Sequence, residues 1–179
     1  MMFACYYDSP LGKLLLTADA LGLTGLYFDG ENTEADRLVF ARKERETPLL
    51  AETKRWLDVY FSGSQPDFLP PLHPAGSAFR QAVWALLLQI PYGQTTTYGA
   101  IARQLAAKQG IPKMSAQAVG GAIGDNKIAI VIPCHRVIGA NGSLTGYAGG
   151  TNRKAALLEL EHTDMTGLFL PKKGLARER

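Results

Sequence analysis

Cysteine and histidine are scarce in this chain, which holds two cysteines (Cys5, Cys134) and three histidines (His73, His135, His162) among 179 residues. Two cysteines do not build a disulfide framework, and in a reducing compartment a structural bridge between them is not expected. None of the five residues stands in C-x-x-C or H-x-x-x-H spacing, so no metal and no other cofactor is expected. Long apolar runs are also missing. None approaches the ~18 residues needed to span a bilayer, and MMFACYYDSPLG has no basic stretch leading into an apolar one, as a secretory signal does. The expected location is cytoplasmic, with no membrane partner. Internal repeats and low-complexity tracts are absent as well.

What is present is ordinary globular composition, 46% apolar and 20% charged. The net charge of +3 conceals an asymmetry. Residues 1–74 carry 7 Lys+Arg against 11 Asp+Glu, whereas residues 75–179 carry 12 against 5. A basic half beside an acidic one fits a chain whose C-terminal part meets a polyanion, though a chance partition of surface charge gives the same numbers. The sign changes within SGSQPDFLPPLHPAG, where Gly63, Pro66, Pro70, Pro71 and Pro74 oppose helix formation. The division read from this is an N-terminal α/β domain with linker over 1–74, a C-terminal domain over 75–165, and a tail over 166–179 with little periodicity that is expected to fray.

Within the first domain, strand-length apolar segments punctuated by DSPLG and ADALG predict a small antiparallel sheet. The charged stretch 31–46 predicts a loop or an exposed helix. Thr47 then caps a helix that opens on Pro48 and sets Leu49, Leu50, Leu57, Tyr60 and Phe61 on one face. In the second domain Phe79, Val83, Leu86 and Leu87 predict an amphipathic helix ending before Pro91. Thr97 caps a helix from Tyr98 to about residue 107, and Ser115 caps another, rich in Ala and Gly, that runs to Gly124. Such a pair suits a helix-turn-helix whose second helix lies against another surface; a small-residue helix packed in a core reads the same way.

IVIPCHRVIG (130–139) holds the only cysteine flanked by basic side chains. A cysteine reacts as thiolate, and a neighbouring His or Arg lowers its pKa. In an extended strand successive side chains point to opposite faces, so His135 is expected to reach the sulfur only through a water or as a nearby imidazolium. A histidine in that role needs a third group to orient it, and among the few carboxylates of this half Glu159 and Glu161, on a final helix starting near Asn152, are the obvious candidates. The residues alone leave open a buried structural cysteine, and a cysteine hydrolase for which no oxyanion hole is marked.

With SAQAVGGAIGDN before it and NGSLTGYAGG after it, IPCHRVIG resembles the active-site region of the O6-alkylguanine-DNA alkyltransferases, the bacterial methylated-DNA–protein-cysteine methyltransferases in particular. The resemblance runs from about residue 79 to 161 and extends in general shape to residues 1–74. It implies a ribonuclease H-like N-terminal domain and a mostly helical, winged helix-turn-helix-like C-terminal domain with GANGSLTGY as the wing. The implied activity is irreversible, single-turnover transfer of an alkyl group from O6-alkylguanine, with O4-alkylthymine as a further substrate. The partner is duplex DNA entered through the minor groove, the base flipped out, and the protein is expected to be a monomer.

Carried over by position, Cys134 is the nucleophile and alkyl acceptor, His135 the base acting through water, and Glu161 its orienting partner. Asn126 braces the reactive segment, and Tyr98 donates toward N3 of the departing guanine. Val137, Tyr147, Ala148, Ala129 and Ile123 line the pocket. Ser115, Ala116, Gln117, Gly120, Gly121 and Arg136 face DNA. Three departures stand out: Gln117 where many members have arginine, Ala129 where some have proline, and Cys5 as the sole match to a zinc set that some relatives carry. The alternatives to transfer are an alkyltransferase-like protein that binds damage without reacting, and a transcription factor using the helix pair. The first lacks the cysteine, the second needs a dimerisation element, and neither condition is met here.

Overall fold

The structure, a computed structural model, describes residues 1–30 and 43–172. The charged stretch 31–46 therefore lies outside the described residues up to residue 42. Met1–Ala75 together with Lys127–Ala129 forms one unit; Gly76–Asn126 and the residues from Ile130 onward form the other.

In the first unit β1 (Phe3–Ser9), β2 (Gly12–Ala18) and β3 (Leu23–Phe28) form an antiparallel meander, and β4 (Lys43–Glu44) pairs in parallel with β1. The sheet order is β3-β2-β1-β4. The DSPLG turn closes because Ser9 Oγ accepts from Leu11 N, while Gly12 takes a φ of 124° that a side chain would oppose. Helix α1 (Pro48–Phe61) starts where Thr47 accepts from Leu50 N and Pro48 needs no donor. It buries Leu50, Trp56, Leu57 and Tyr60, each contributing about 1.5–3 kcal/mol of apolar burial. Leu49 and Phe61, expected on the same face, are only half-buried. The proline-rich linker is tied down rather than free: Leu23 N donates to Pro71 O and His73 N to Leu23 O. Further along β3, Leu26 exchanges backbone hydrogen bonds with Lys127 O and Ala129 N, so 127–129 docks on this edge through a single parallel bridge at Ile128.

The second unit is mostly helical. Helix α2 (Ala78–Leu87) is capped by Ser77 and anchored by Trp84, whose buried Nε1 donates to Ala122 O at 2.9 Å. Strand β5 (Thr96–Thr97) leads directly into α3 (Tyr98–Gln109), capped by Thr97 and stopped by Gly110 in the left-handed region at φ 64°. Helix α4 (Ala116–Gly124) begins at the Ser115 cap, so α3 and α4 form the helix-turn-helix. Then come a 3-10 turn (Cys134–Arg136), β6 (Val137–Ile138) and α5 (Thr151–Leu160).

Two expectations change here. The segment at Cys134 is a 3-10 turn, not a strand. Pro133, with φ −83° and ψ 64°, forms an inverse γ-turn in which Cys134 N donates to Ile132 O at 2.8 Å, and this bends the chain out of extension. The tail from 166 is also held as far as it is described. Phe169 bridges Ser143 of the wing-like loop, with Leu144 N donating to Phe169 O and Phe169 N to Gly142 O. The expected fraying over 173–179 lies outside the described residues.

Candidate active site around Cys134

Parallel pairing of Thr96 with Val137 and Thr97 with Ile138 builds the site. β5 ends one residue before Tyr98 and β6 begins one residue after Arg136, so this two-rung ladder sets the start of α3 beside the reactive turn. Asn126, just past α4, closes the other side: its Nδ2 donates to Ile132 O at 2.8 Å and its side chain also hydrogen-bonds Cys134. The turn is thus fixed at both ends.

Cys134 is free and 9% exposed. Burial pushes its thiol above the ordinary range, opposed by the Asn126 hydrogen bond, the Lys154 charge and backbone N–H groups. The sulfur expected to rest as thiolate is therefore held as thiol, because desolvation outweighs the nearby positive charge.

His135 is fully buried, and its Nε2 lies 2.6 Å from Glu161 Oε2. Burial lowers the imidazole pKa, with Glu161 pulling the other way, while Arg136 and Lys154 add to the lowering. Burial would raise the Glu161 carboxyl, but the hydrogen bonds from His135 and Arg136, the Arg136 charge and, once acid protonates the ring, the imidazolium charge bring it down to about 2. A neutral imidazole facing a carboxylate must place its proton on Nε2, which leaves Nδ1 as the basic lone pair. That Nδ1 is buried and has no partner among the described residues. The site therefore holds a protonated thiol beside an unprotonated, oriented base.

Arg136, expected to face DNA, is corrected by the structure. It is 9% exposed, its Nε donates to Glu161 Oε1 at 2.6 Å and its Nη1 to Ile90 O at 2.7 Å, and its guanidinium lies over the Tyr92 ring. Buried charge has to be paired, and Glu161 is the partner.

Tyr98 is largely buried; its hydroxyl donates to Thr145 O at 3.1 Å, and burial, with the Cys134 thiolate where that forms at high pH, raises its pKa to about 12. The Tyr147 ring packs edge-on against His135 with centroids 6.4 Å apart. Val137 and Ile123 are buried, whereas Ala148 is exposed. Ala129 donates its N–H to Leu26 O and belongs to the first unit.

On α4 the residues Ala116, Gln117, Ala118, Gly121 and Gly124, with the cap Ser115, are exposed, and Gly120 is half-buried. Apart from Gln117 and Ser115 that face presents only small groups, so its backbone is open to close approach. Beside it an open cleft of about 710 Å³ is bordered by Arg103, Lys113, Ser115 and Ala116; it shares no residue with the Cys134 group.

Lys154 is the residue missed in the sequence. Nothing in TNRKAALLEL marks it, yet Lys154 is fully buried and its Nζ donates to Val137 O at 2.5 Å and Thr145 O at 2.8 Å. Only the three-dimensional position of those carbonyls reveals it.

Among the described residues no cluster of His, Cys, Asp and Glu could hold a metal, and no helix is long and apolar enough to cross a membrane. Two family profiles match the chain. The 6-O-methylguanine DNA methyltransferase ribonuclease-like domain covers residues 2–74, and the DNA binding domain of the same family covers residues 78–163. The chain is similar to the methylated-DNA–protein-cysteine methyltransferase of Mycobacterium leprae, 45% identical over 91% of this chain and 94% of that one. It is similar to the crystal structure of Mycobacterium tuberculosis O6-methylguanine methyltransferase, with TM-score 0.78 and 44% identity over 90% of this chain and 93% of that one. The structure of that organism's protein in complex with DNA aligns with TM-score 0.76 and 42% identity, over 89% and 92% of the two chains.

Proposed function

The chain belongs to the 6-O-methylguanine DNA methyltransferase family, and from that we infer that it repairs DNA by moving an alkyl group from O6 of guanine to Cys134. The observation that carries the reading is the buried thiol beside a neutral imidazole whose Nε2 is committed to an ionised carboxylate. No structural cysteine needs that base.

The Cys134 proton passes through water to Nδ1 of His135, and Glu161 together with Arg136 stabilises the imidazolium that forms. The thiolate attacks the alkyl carbon in line, the C–O6 bond breaks, and its electron pair goes to the purine. Tyr98, un-ionised at neutral pH, donates a hydrogen bond toward N3 of the departing guanine and offsets its developing charge. The imidazolium then gives up its proton through solvent to the guanine anion, so that overall sulfur loses one proton and guanine gains one, and the products are a thioether and a normal base. The thioether is stable, and each chain acts once. The O4-alkyl group of thymine presents the same carbon to the sulfur and is proposed as a second substrate.

The small-residue face of α4 supports entry into the minor groove, where the backbone must come close, and Arg103 and Lys113 at the neighbouring cleft suit phosphates. A monomer working in the cytoplasm completes the proposal. Gln117, alone among small residues on that face, is placed to enter the space left by a flipped base. Gln117→Arg is expected to tighten duplex binding and to steepen its salt dependence by roughly one counterion. Binding isotherms at several salt concentrations check this, and unchanged binding and repair rates remove the position from the interface.

Locating a radiolabel transferred from O6-methylguanine DNA by peptide mass tests the whole reading: the label belongs on the Cys134 peptide.

A further inference from the structure

Lys154 has no step in that reaction, yet the fold buries its ammonium completely. A buried ammonium needs hydrogen-bond acceptors, and here they are two backbone carbonyls, Val137 O beside the reactive turn and Thr145 O in the loop before Tyr147. Thr145 O is the same atom that accepts from the Tyr98 hydroxyl. The ammonium also lies 5.9 Å from the centre of the Tyr98 ring. The next residue, Gly146, has φ 82°, and a Cβ there would stand 2.6 Å from the Tyr98 hydroxyl oxygen. One carbonyl, one cation and one glycine therefore surround the phenolic oxygen.

The proposed reaction asks that hydroxyl to move. At rest its proton points to Thr145 O, and during transfer it must turn to N3 of the base. Abandoning a carbonyl with no other donor is unfavourable, but here Lys154 continues to donate to it. Resting on the reading of Tyr98 as hydrogen-bond donor to N3, we propose that Lys154 and Gly146 are positioning residues that make the Thr145 carbonyl an exchangeable seat for the Tyr98 hydroxyl. Lys154 fixes the carbonyl and keeps it hydrogen-bonded when the hydroxyl leaves; Gly146 gives the oxygen room to sit and to turn. Both act through Tyr98.

The positive charge of Lys154 also favours the Cys134 thiolate, so the test must separate the two routes. Single-turnover transfer from an O6-methylguanine duplex is measured for wild type, Lys154→Met and Gly146→Ala, each with Tyr98 intact and in the Tyr98→Phe background. With Tyr98 intact, each variant is expected to slow transfer by about 10-fold or more; without the hydroxyl, the loss from each is expected to shrink by about 5-fold or more, the remainder being the thiolate effect of Lys154 and the backbone strain at residue 146. For Gly146→Ala the strain of a side chain at φ 82° is common to both backgrounds, but the clash with the hydroxyl oxygen at 2.6 Å is not; with the oxygen gone the nearest ring carbon is 3.6 Å from the new methyl group, an ordinary contact, so the loss must shrink. Equal losses in both backgrounds, as a thiolate effect or a general packing defect would give, overturn the proposal, and so does the absence of loss with Tyr98 intact. If Lys154→Met fails to fold, the Gly146→Ala pair decides alone by the same criteria. A wild-type chain that transfers nothing refutes both this proposal and the reading it rests on, whereas a transferring wild type with additive variants refutes the seat alone.

Discussion

Cys134→Ser protein is expected to leave O6-methylguanine in DNA unrepaired, with transfer slower by on the order of 10⁴-fold or more. The substitution is nearly isosteric, and the turn is held by Pro133, Asn126 and the β5–β6 ladder rather than by the sulfur. Fold and DNA binding should therefore persist. What changes is the nucleophile. The imidazole of His135, its pKa already lowered by burial, can draw a proton from a thiol but not from an alcohol several units less acidic. Oxygen is also a poorer nucleophile than sulfur toward saturated carbon. The check is retention of label in DNA over hours, with melting temperature and duplex affinity measured alongside. Repair by the serine variant would place the acceptor elsewhere.

Glu161→Gln is expected to damage both stability and rate. Glu161 receives His135 and Arg136 on its two oxygens, all three groups being buried or nearly so. The amide offers one acceptor and one donor, so either Arg136 or the Nε2 proton loses its partner, and the arginine charge is left uncompensated. Breaking a buried pair in this way destabilises by about 3–5 kcal/mol. Transfer should fall by about 10²-fold or more, since the imidazolium that forms during the reaction loses its counter-charge. Urea denaturation and single-turnover rates measure the two effects.

The same pair sets a pH dependence. The Glu161 carboxyl is lowered from 4.5 to about 2, so its stabilisation is complete above pH 4.5 and lost as pH falls toward 2; at 1.36 kcal/mol per pH unit this amounts to about 3 kcal/mol. His135 is lowered below 6.5, so the unfolded chain takes up its proton first, and stability begins to fall as pH drops through 6.5. Both contributions weaken the fold toward acid. A protein that gained stability between pH 7 and pH 5 would contradict the neutral imidazole.

Local chemistry was the legible part of the fold. Thr47, Thr97 and Ser115 cap helices where their side chains can reach the exposed N–H groups, because capping depends on three or four consecutive residues. The antiparallel meander followed from turn signals of the same range. The reactive turn did not follow, since VIPCHRVI has strand composition and its bend depends on Pro133 together with Asn126, which arrives from α4. Charge was misread for a related reason. Beside Cys134, His135 and Arg136 look like activating cations, but burial keeps the imidazole neutral and Glu161 claims the guanidinium. The bridge from Ile128 to β3 and the buried Lys154 depend on partners distant in sequence, which no periodicity reports. At the site the sequence names the groups; their protonation states require the structure.

The most direct measurement of the central claim is the stoichiometry of transfer, read on the intact protein by mass spectrometry with O6-methylguanine duplex in excess. One methyl group per chain, confined to the Cys134 peptide and accumulating no further with time, is the expected result. Many equivalents repaired per chain, or a methyl group on any other residue, would contradict it.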